Sequence, residues 1–273
     1  MRLDRTLVER GLARSRTHAQ ALIEAGSVSV DGAVVTRAAF VPPDAAQISV
    51  VDDGYVSRAA HKLLGALDTC APLGLAVADR RALDAGASTG GFTQVLLERG
   101  AAHVTAVDVG HGQLASTVAN DPRVTVIEGL NVRDLTPAHL PGPIDIVVAD
   151  LSFISLTLVT EPLAATVASG GDLLLMVKPQ FEVGRERLGS GGVVTSPNDR
   201  ARSVASVTSA LEKAGAAIHT VARSALPGLT GNVEFFVWAS MAWQASDRGR
   251  DQRPQLSDAG LRSAIEHVTE GRL

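Results

Sequence analysis

LDAGASTGGFT, residues 83 to 93, decides how this chain folds. An apolar run near 81–85 leads into it and a helical pattern over 90–99 leads out, so the glycines sit on a strand-to-helix turn. Small residues there let the backbone approach a ligand closely, and the start of the helix offers unpaired N–H groups. Asp108 closes the next apolar run, 22 positions after Gly86. A carboxylate at that place can accept hydrogen bonds from both hydroxyls of an adenosine ribose. The spacing suits a nicotinamide dinucleotide and S-adenosylmethionine alike. The loop departs from G-x-G-x-x-G, and no phosphate-binding lysine follows it.

Working outward toward the C-terminus, Val/Ile/Leu runs near 103–108, 123–127, 145–149 and 172–177 alternate with helical stretches, notably 157–168 and 199–214. This alternation predicts an α/β unit with a parallel, doubly wound sheet. The last two runs, near 217–223 and 232–239, are separated by the short loop PGLTGN and are expected to pair as an antiparallel hairpin. A helix with an apolar stripe of Ala60, Leu63, Leu64 and Leu67 precedes the first strand. The tail beyond residue 243 is polar, with a final helix expected around Leu261 and Ile265.

Working back toward the N-terminus, the first fifty residues read as a separate small α+β unit. Leu3, Leu7 and Val8 mark a short helix closed by Gly11. Ser15 caps a second helix carrying Ala19, Leu22 and Ile23, which Gly26 stops. Val28 and Val30 alternate up to Asp31-Gly32, a hairpin signal, and a last strand falls near Ile48 to Val51. The composition changes at Asp52-Asp53-Gly54. The expected division is therefore 1–52 for the small unit, 53–57 for a linker, 58–243 for the sheet unit and 244–273 for the tail.

At 273 residues and 45% hydrophobic content the chain can bury a full core, and its net charge of −4 excludes a bulk electrostatic attraction to nucleic acid while leaving room for a local basic face. A single cysteine, Cys70, excludes a disulfide framework and a cysteine-rich zinc site, so no metal is expected. The charged N-terminus carries no apolar signal core, and no run of about 18 apolar residues exists to span a membrane. The chain reads as soluble and cytoplasmic.

Four charged residues stand where charge is costly unless used. Asp150 ends IDIVVAD, Lys178 ends DLLLMVK, Glu234 lies between Val233 and two phenylalanines in NVEFFVW, and Lys62 lies beside the apolar stripe of its helix. In a parallel sheet, strand ends of this kind converge on the carboxyl edge, where ligands bind. Two amines held by two carboxylates can take a proton from an alcohol and stabilise the resulting oxyanion. Taken singly, each is an ordinary surface ion pair or a solvated lysine. Together, in this order, they form a candidate catalytic set.

The stretches SRAAHKL, LDAGASTGGFT, VADLSFISL, VKPQFEVG, GGVV and GNVEFFVW resemble the TlyA family, hemolysin-like ribosomal RNA methyltransferases with an S4 domain before an FtsJ-type catalytic domain. The resemblance covers nearly the whole chain. It implies a Rossmann-like class I methyltransferase fold, S-adenosylmethionine as cofactor, and methylation of a cytidine ribose 2′-hydroxyl in 16S and, in the two-target type, 23S rRNA. It carries a Lys-Asp-Lys-Glu tetrad onto Lys62, Asp150, Lys178 and Glu234. It carries cofactor contacts onto Asp84, Gly86, Ser88, Gly90, Gly91 and Asp108, with Asn131 and Phe153 as further pocket positions. RLDRTLVERGLARSRTHAQALIEAGSVSVDG resembles the S4 module, implying a phosphate-contacting face from Arg5, Arg14, Arg16 and Arg37, with Arg2 and Arg10 read as ordinary solubility. Relatives carry an Arg-Ala-Trp segment in the linker. Here Asp53-Gly54-Tyr55-Val56 keeps an aromatic and lacks the basic residue. The family's older name implies a membrane-lysing protein, against which stand the missing span and basic amphipathic helix. A catalytically inactive ribosome-binding module is disfavoured by the intact tetrad and loop.

Overall fold

The computed structural model describes residues 1–13, 15–24, 26–51, 53–242 and 253–270. The chain divides into two compact units, Met1–Ala60 and His61–Leu273.

In the first unit, α1 (Leu3–Glu9) and α2 (Arg16–Glu24) pack beside an antiparallel sheet of β1 (Val28–Val30), β2 (Ala33–Val34) and β3 (Ile48–Val50), in the order β2-β1-β3. Leu3, Leu7, Ala19, Ile23 and Val28 are fully buried and form its core. The Ser15 hydroxyl accepts the His18 N–H at 3.1 Å, the expected cap of α2. Asp31 and Gly32 turn the hairpin with φ of 49° and 80°, the positive pair a two-residue turn needs.

The second unit runs through α3 (Ala59–Cys70), β4 (Arg81–Ala85), α4 (Gly91–Glu98), β5 (His103–Asp108), α5 (Ser116–Ala119), β6 (Val124–Glu128) and β7 (Ile144–Ala149). It continues with α6 (Thr160–Thr166), β8 (Val167–Val177), α7 (Pro179–Glu182), α8 (Pro197–Lys213), β9 (Ala216–Arg223), β10 (Phe235–Met241) and α9 (Asp258–Glu270). The seven strands lie in the order β6-β5-β4-β7-β8-β10-β9. Strands β6 to β8 pair in parallel around β4, and β10 runs antiparallel to both neighbours. The expected terminal hairpin forms, with β10 inserted between β8 and β9. The chain reverses between β4 and β7, so the carboxyl ends of β4, β5 and β7 open a crevice there.

Val204, Val207 and Leu211 repeat at helical spacing on α8 and are fully buried against the sheet, with Leu261 and Ile265 of α9 beside them. Each such burial contributes about 1.5–3 kcal/mol. Toward the amino ends of the strands, fully buried Asp172 accepts hydrogen bonds from Trp238 Nε1 (2.8 Å), Arg80 (2.6 Å) and Arg253 (2.5 Å), which ties the segment before α9 to the sheet.

Two boundaries differ from the sequence expectation. The helix expected over 157–168 is shorter, because β8 begins at Val167 and is 11 residues long. Gly171 permits this: a Cβ there would lie 2.6 Å from Val167 Cγ1 and 2.8 Å from the Asp145 carbonyl oxygen. The last strand begins at Phe235, and Glu234 just before it still accepts the Ser224 N–H at 2.8 Å through its carbonyl.

Candidate active site

The glycine loop closes the carboxyl end of β4. Gly86 has φ 86°, and a Cβ on it would lie 2.8 Å from Leu151 Cδ2 and 3.0 Å from the Asp150 carbonyl oxygen. Only glycine lets the loop pass the end of β7 this closely. The Asp108 carboxylate, at the end of β5, accepts the Ser88 N–H at 2.8 Å and the Gly110 N–H at 2.7 Å. Each oxygen keeps a further lone pair. Between these groups lies a cavity of about 510 Å3, whose walls include Gly86, Ser88, Asp108, Gln113, Asn131, Asp150, Ser152 and Phe153. A cleft of that size, with an acceptor carboxylate and a close-approach glycine, suits a nucleoside ligand.

Three residues expected to touch a ligand stand behind the wall instead. Asp84 is fully buried beneath the loop, and its Oδ2 accepts the Thr93 hydroxyl at 2.7 Å. Its Oδ1 is buried without a hydrogen-bond partner. Burial, with the charges of Asp150 and Asp108 behind it, pushes this carboxyl up to about 7, against the pull of the Thr93 hydrogen bonds. Gly90 caps α4 with φ 94° and faces inward, where a Cβ would lie 2.8 Å from Leu114 Cδ1. Gly91, buried, opens α4.

The rim opposite the loop is built by residues 150–156. Phe153 is 93% exposed with φ 63°, and its ring packs on Phe181 at 5.4 Å between centroids. Glu182 fixes this segment by accepting the Ser155 hydroxyl at 2.5 Å and the Leu156 N–H at 2.8 Å. Burial of the Glu182 carboxyl raises its pKa despite those bonds. Asn131 is exposed, with its side-chain oxygen accepting the Arg133 N–H at 3.0 Å.

The four charged residues form two pairs. Lys62 Nζ on α3 donates to Glu234 Oε2 at 2.5 Å, with the residues 7% and 2% exposed. Lys178 Nζ, after β8, lies 2.6 Å from Asp150 Oδ1 and is angled to donate its hydrogen bond to the Ser152 hydroxyl at 2.9 Å. Phe235 pairs with Val177 in the antiparallel ladder, so Glu234 and Lys178 are the residues just beyond that pairing at the same end of β8 and β10. Asp150 and Ser152 line the cavity, which places the Lys178 amine at its wall. Removing one partner from a buried pair of this kind typically costs about 3–5 kcal/mol.

In the first unit, Asp4 is fully buried at the start of α1. It accepts from Arg2 Nε (3.2 Å), Arg16 Nε (2.8 Å) and Gln20 Nε2 (3.2 Å). Burial pushes the Asp4 carboxyl up, but the hydrogen bonds of Arg16 and Gln20 and the charges of Arg16 and Arg2 outweigh it and hold it at about 2. Arg2 is thus part of an organised pair with Arg16, beyond the solubility role expected for it. Arg10 braces the Ala46 and Asp44 carbonyls at 2.8 and 3.1 Å. Arg5 and Arg37 are exposed, and Arg14 lies outside the described residues.

Sequence reasoning missed Ser152 and Gln113. Both are neutral loop residues, and nothing in their spacing marks them. Among the described residues no cluster could hold a metal ion, and no helix is long and apolar enough to cross a membrane.

An FtsJ-like methyltransferase family model matches residues 55–241, and an S4-domain model matches residues 1–43. Mycobacterium tuberculosis 16S/23S rRNA (cytidine-2'-O)-methyltransferase TlyA is 50% identical over 99% of this chain and 98% of its own length. The chain belongs to the TlyA family of FtsJ-like methyltransferases. Family members also carry another name: Hemolysin A of Brachyspira hyodysenteriae is 36% identical over 86% of this chain and 98% of that protein. A solved structure described as a hemolysin from Streptococcus thermophilus superposes with a TM-score of 0.73 at 32% identity, covering 98% of this chain and 94% of the other. The methyltransferase fold and the preceding S4 domain agree with the sequence expectation. The crevice described above is therefore the candidate active site of a TlyA-family methyltransferase.

Proposed function

We propose that this protein transfers a methyl group from S-adenosylmethionine to the ribose 2′-hydroxyl of cytidine in ribosomal RNA, 16S and 23S, working on ribosomal subunits in the cytoplasm. The observation that carries the reading is the Lys178–Asp150 contact, whose carboxylate lines the glycine-loop cavity, with the buried Lys62–Glu234 pair on the neighbouring elements. Bound there, S-adenosylmethionine would supply an electrophilic methyl on a sulfonium centre. Gly86, Ser88, Asp108 and Asn131 would hold it, with the Asp108 carboxylate able to accept hydrogen bonds from the adenosine ribose hydroxyls.

A ribose hydroxyl is a very weak acid, so the chain must remove its proton and hold its oxygen in line. Lys178, oriented by Asp150 and Ser152, is the group placed to take that proton. Lys62, held by Glu234, stabilises the developing oxyanion. Phe153, exposed on the cavity rim beside Phe181, offers an aromatic face to a nucleobase. In the first unit Arg5, Arg14, Arg16 and Arg37 are the phosphate contacts. They position the RNA without reading its sequence.

The test is tritium transfer from labelled S-adenosylmethionine to unmethylated ribosomal subunits, with primer-extension mapping of the product. Lys178→Ala and Asp150→Ala should each lower the rate by at least about 100-fold, the scale of a lost acid–base group, while calorimetry shows the cofactor still bound. Wild-type rates in both variants would remove the lysine–carboxylate pairs from the mechanism.

A further inference from the structure

Glu234, like Asp150 and Lys178, lies just outside the regular elements, and neighbouring loop residues hold it in place before β10. Its Oε2 meets Lys62, while its Oε1 faces Gly228, on which a Cβ would lie 2.7 Å from Oε1 and 3.3 Å from Cδ. A side chain at 228 therefore cannot coexist with the carboxylate in its present place. The turn bearing Gly228 is closed by hydrogen bonds from the Gly228 N–H to the Asn232 carbonyl (2.8 Å) and from the Gly231 N–H to the Gly228 carbonyl (2.9 Å).

Asn232, two residues before Glu234, is 1% exposed. Its Oδ1 accepts the Val194 N–H at 2.9 Å, and its Nδ2 donates to the Gly192 carbonyl at 2.9 Å and the Thr230 hydroxyl at 3.1 Å. Two of those bonds reach across to the glycine-rich segment 189–194. That segment is fixed from its other side by buried Arg200, whose Nε donates to the Val194 carbonyl at 3.0 Å. A buried amide satisfied on three sides is a rigid peg, and here it joins two loops that otherwise have little secondary structure to hold them.

We propose that Asn232 and Gly228 are positioning residues of the methyl-transfer reaction. Asn232 pins the 228–232 turn to the 189–194 segment, and Gly228 leaves the space into which Glu234 must fit to hold the Lys62 amine. The inference rests on the reading of Glu234 as part of the catalytic quartet. It adds a requirement at two neutral positions that touch neither substrate nor cofactor.

The experiment compares Glu234→Gln, Asn232→Ala, Gly228→Ala and the Asn232→Ala/Gly228→Ala double variant of the full chain. It uses ribosomal subunits and labelled S-adenosylmethionine, with cofactor affinity and melting temperature measured in parallel. Gly228 lacks a positive φ, so alanine there disturbs the carboxylate without straining the backbone. Each single variant is expected to lose about 10- to 100-fold in kcat, with KM for the subunits and cofactor affinity unchanged. Its kcat–pH profile should match that of Glu234→Gln. The double variant should lose no more than the worse single one, because both act through the same carboxylate.

Losses that multiply in the double variant, or a kcat loss explained by a reduced folded fraction with an unaltered pH profile, would overturn the inference. If Asn232→Ala fails to fold, Gly228→Ala decides, and wild-type kcat in it sinks the proposal. Wild-type kcat in Glu234→Gln would instead defeat the catalytic reading of the quartet itself, and is thereby told apart from a failure of the positioning argument alone.

Discussion

Asp84 gives the sharpest physical prediction. Its carboxyl is fully buried beneath the glycine loop, one oxygen has no partner, and its pKa rises from 3.8 to about 7. A carboxyl whose folded pKa exceeds its unfolded one binds a proton more readily when folded, so its effect on stability runs opposite to that of a salt-bridged acid. Below the unfolded pKa of 3.8 both states are protonated and the group is neutral to stability. Between 3.8 and about 7 the folded state keeps the proton that the unfolded state has released, and stability falls as pH rises. Above about 7 the loss is complete. At 1.36 kcal/mol per pH unit the full loss is on the order of 4 kcal/mol. Asp84→Asn removes the titration, and its side-chain oxygen can still accept the Thr93 hydroxyl. The amide then leaves an unpartnered donor that costs about 1–3 kcal/mol at every pH. The stability of the variant relative to wild type should therefore rise by about 3 kcal/mol between pH 5 and pH 8, as wild type alone loses stability up to about pH 7. Urea denaturation followed by the fluorescence of buried Trp238 between pH 5 and 8.5 measures the difference. A difference between the two proteins that stays flat with pH would refute the placement of a neutral acid under the loop.

Two further outcomes follow from the same structure. If exposed Arg5 is a phosphate contact as proposed, Arg5→Ala should lower affinity for ribosomal RNA across sequences and shrink the slope of log affinity against log salt by about 1; filter binding at several salt concentrations checks this, and an unchanged slope removes Arg5 from the RNA face. Cys70 is buried, and burial with the nearby Asp172 charge pushes its thiol up to about 12, so a thiol reagent at pH 8 should leave the native protein unmodified and react fully only in denaturant.

Much of the fold was legible because apolar periodicity is local. The runs at 81–85, 103–108 and 145–149 are rich in Val, Ile, Leu and Ala because a parallel strand is covered on both faces, and they became β4, β5 and β7. Ser15 and Asp31-Gly32 were readable for the same reason: a cap and a two-residue turn act within four residues of themselves. The helix expected to reach 168 stopped at Thr166 because β8 gained pairing with β7, a contact no local pattern shows. Asp84 read as a ligand contact because it begins the loop motif, and only burial of its side chain showed otherwise.

The order of the charged residues along the chain was likewise visible, and so was their position after strands. Their pairing was not. Lys62 and Glu234 are 172 positions apart and meet because β10 inserts antiparallel between β8 and β9, which carries the residue before Phe235 to the end of β8. Ser152, Gly228 and Asn232 carry no charge and no periodicity, so their parts emerge only where two loops approach within hydrogen-bonding distance. Sequence alone determined which segments become strands, helices and a ligand loop, since those follow from short-range sterics and burial. Tertiary structure decided which lysine holds which acid, because that depends on strand order and register, properties of the assembled sheet.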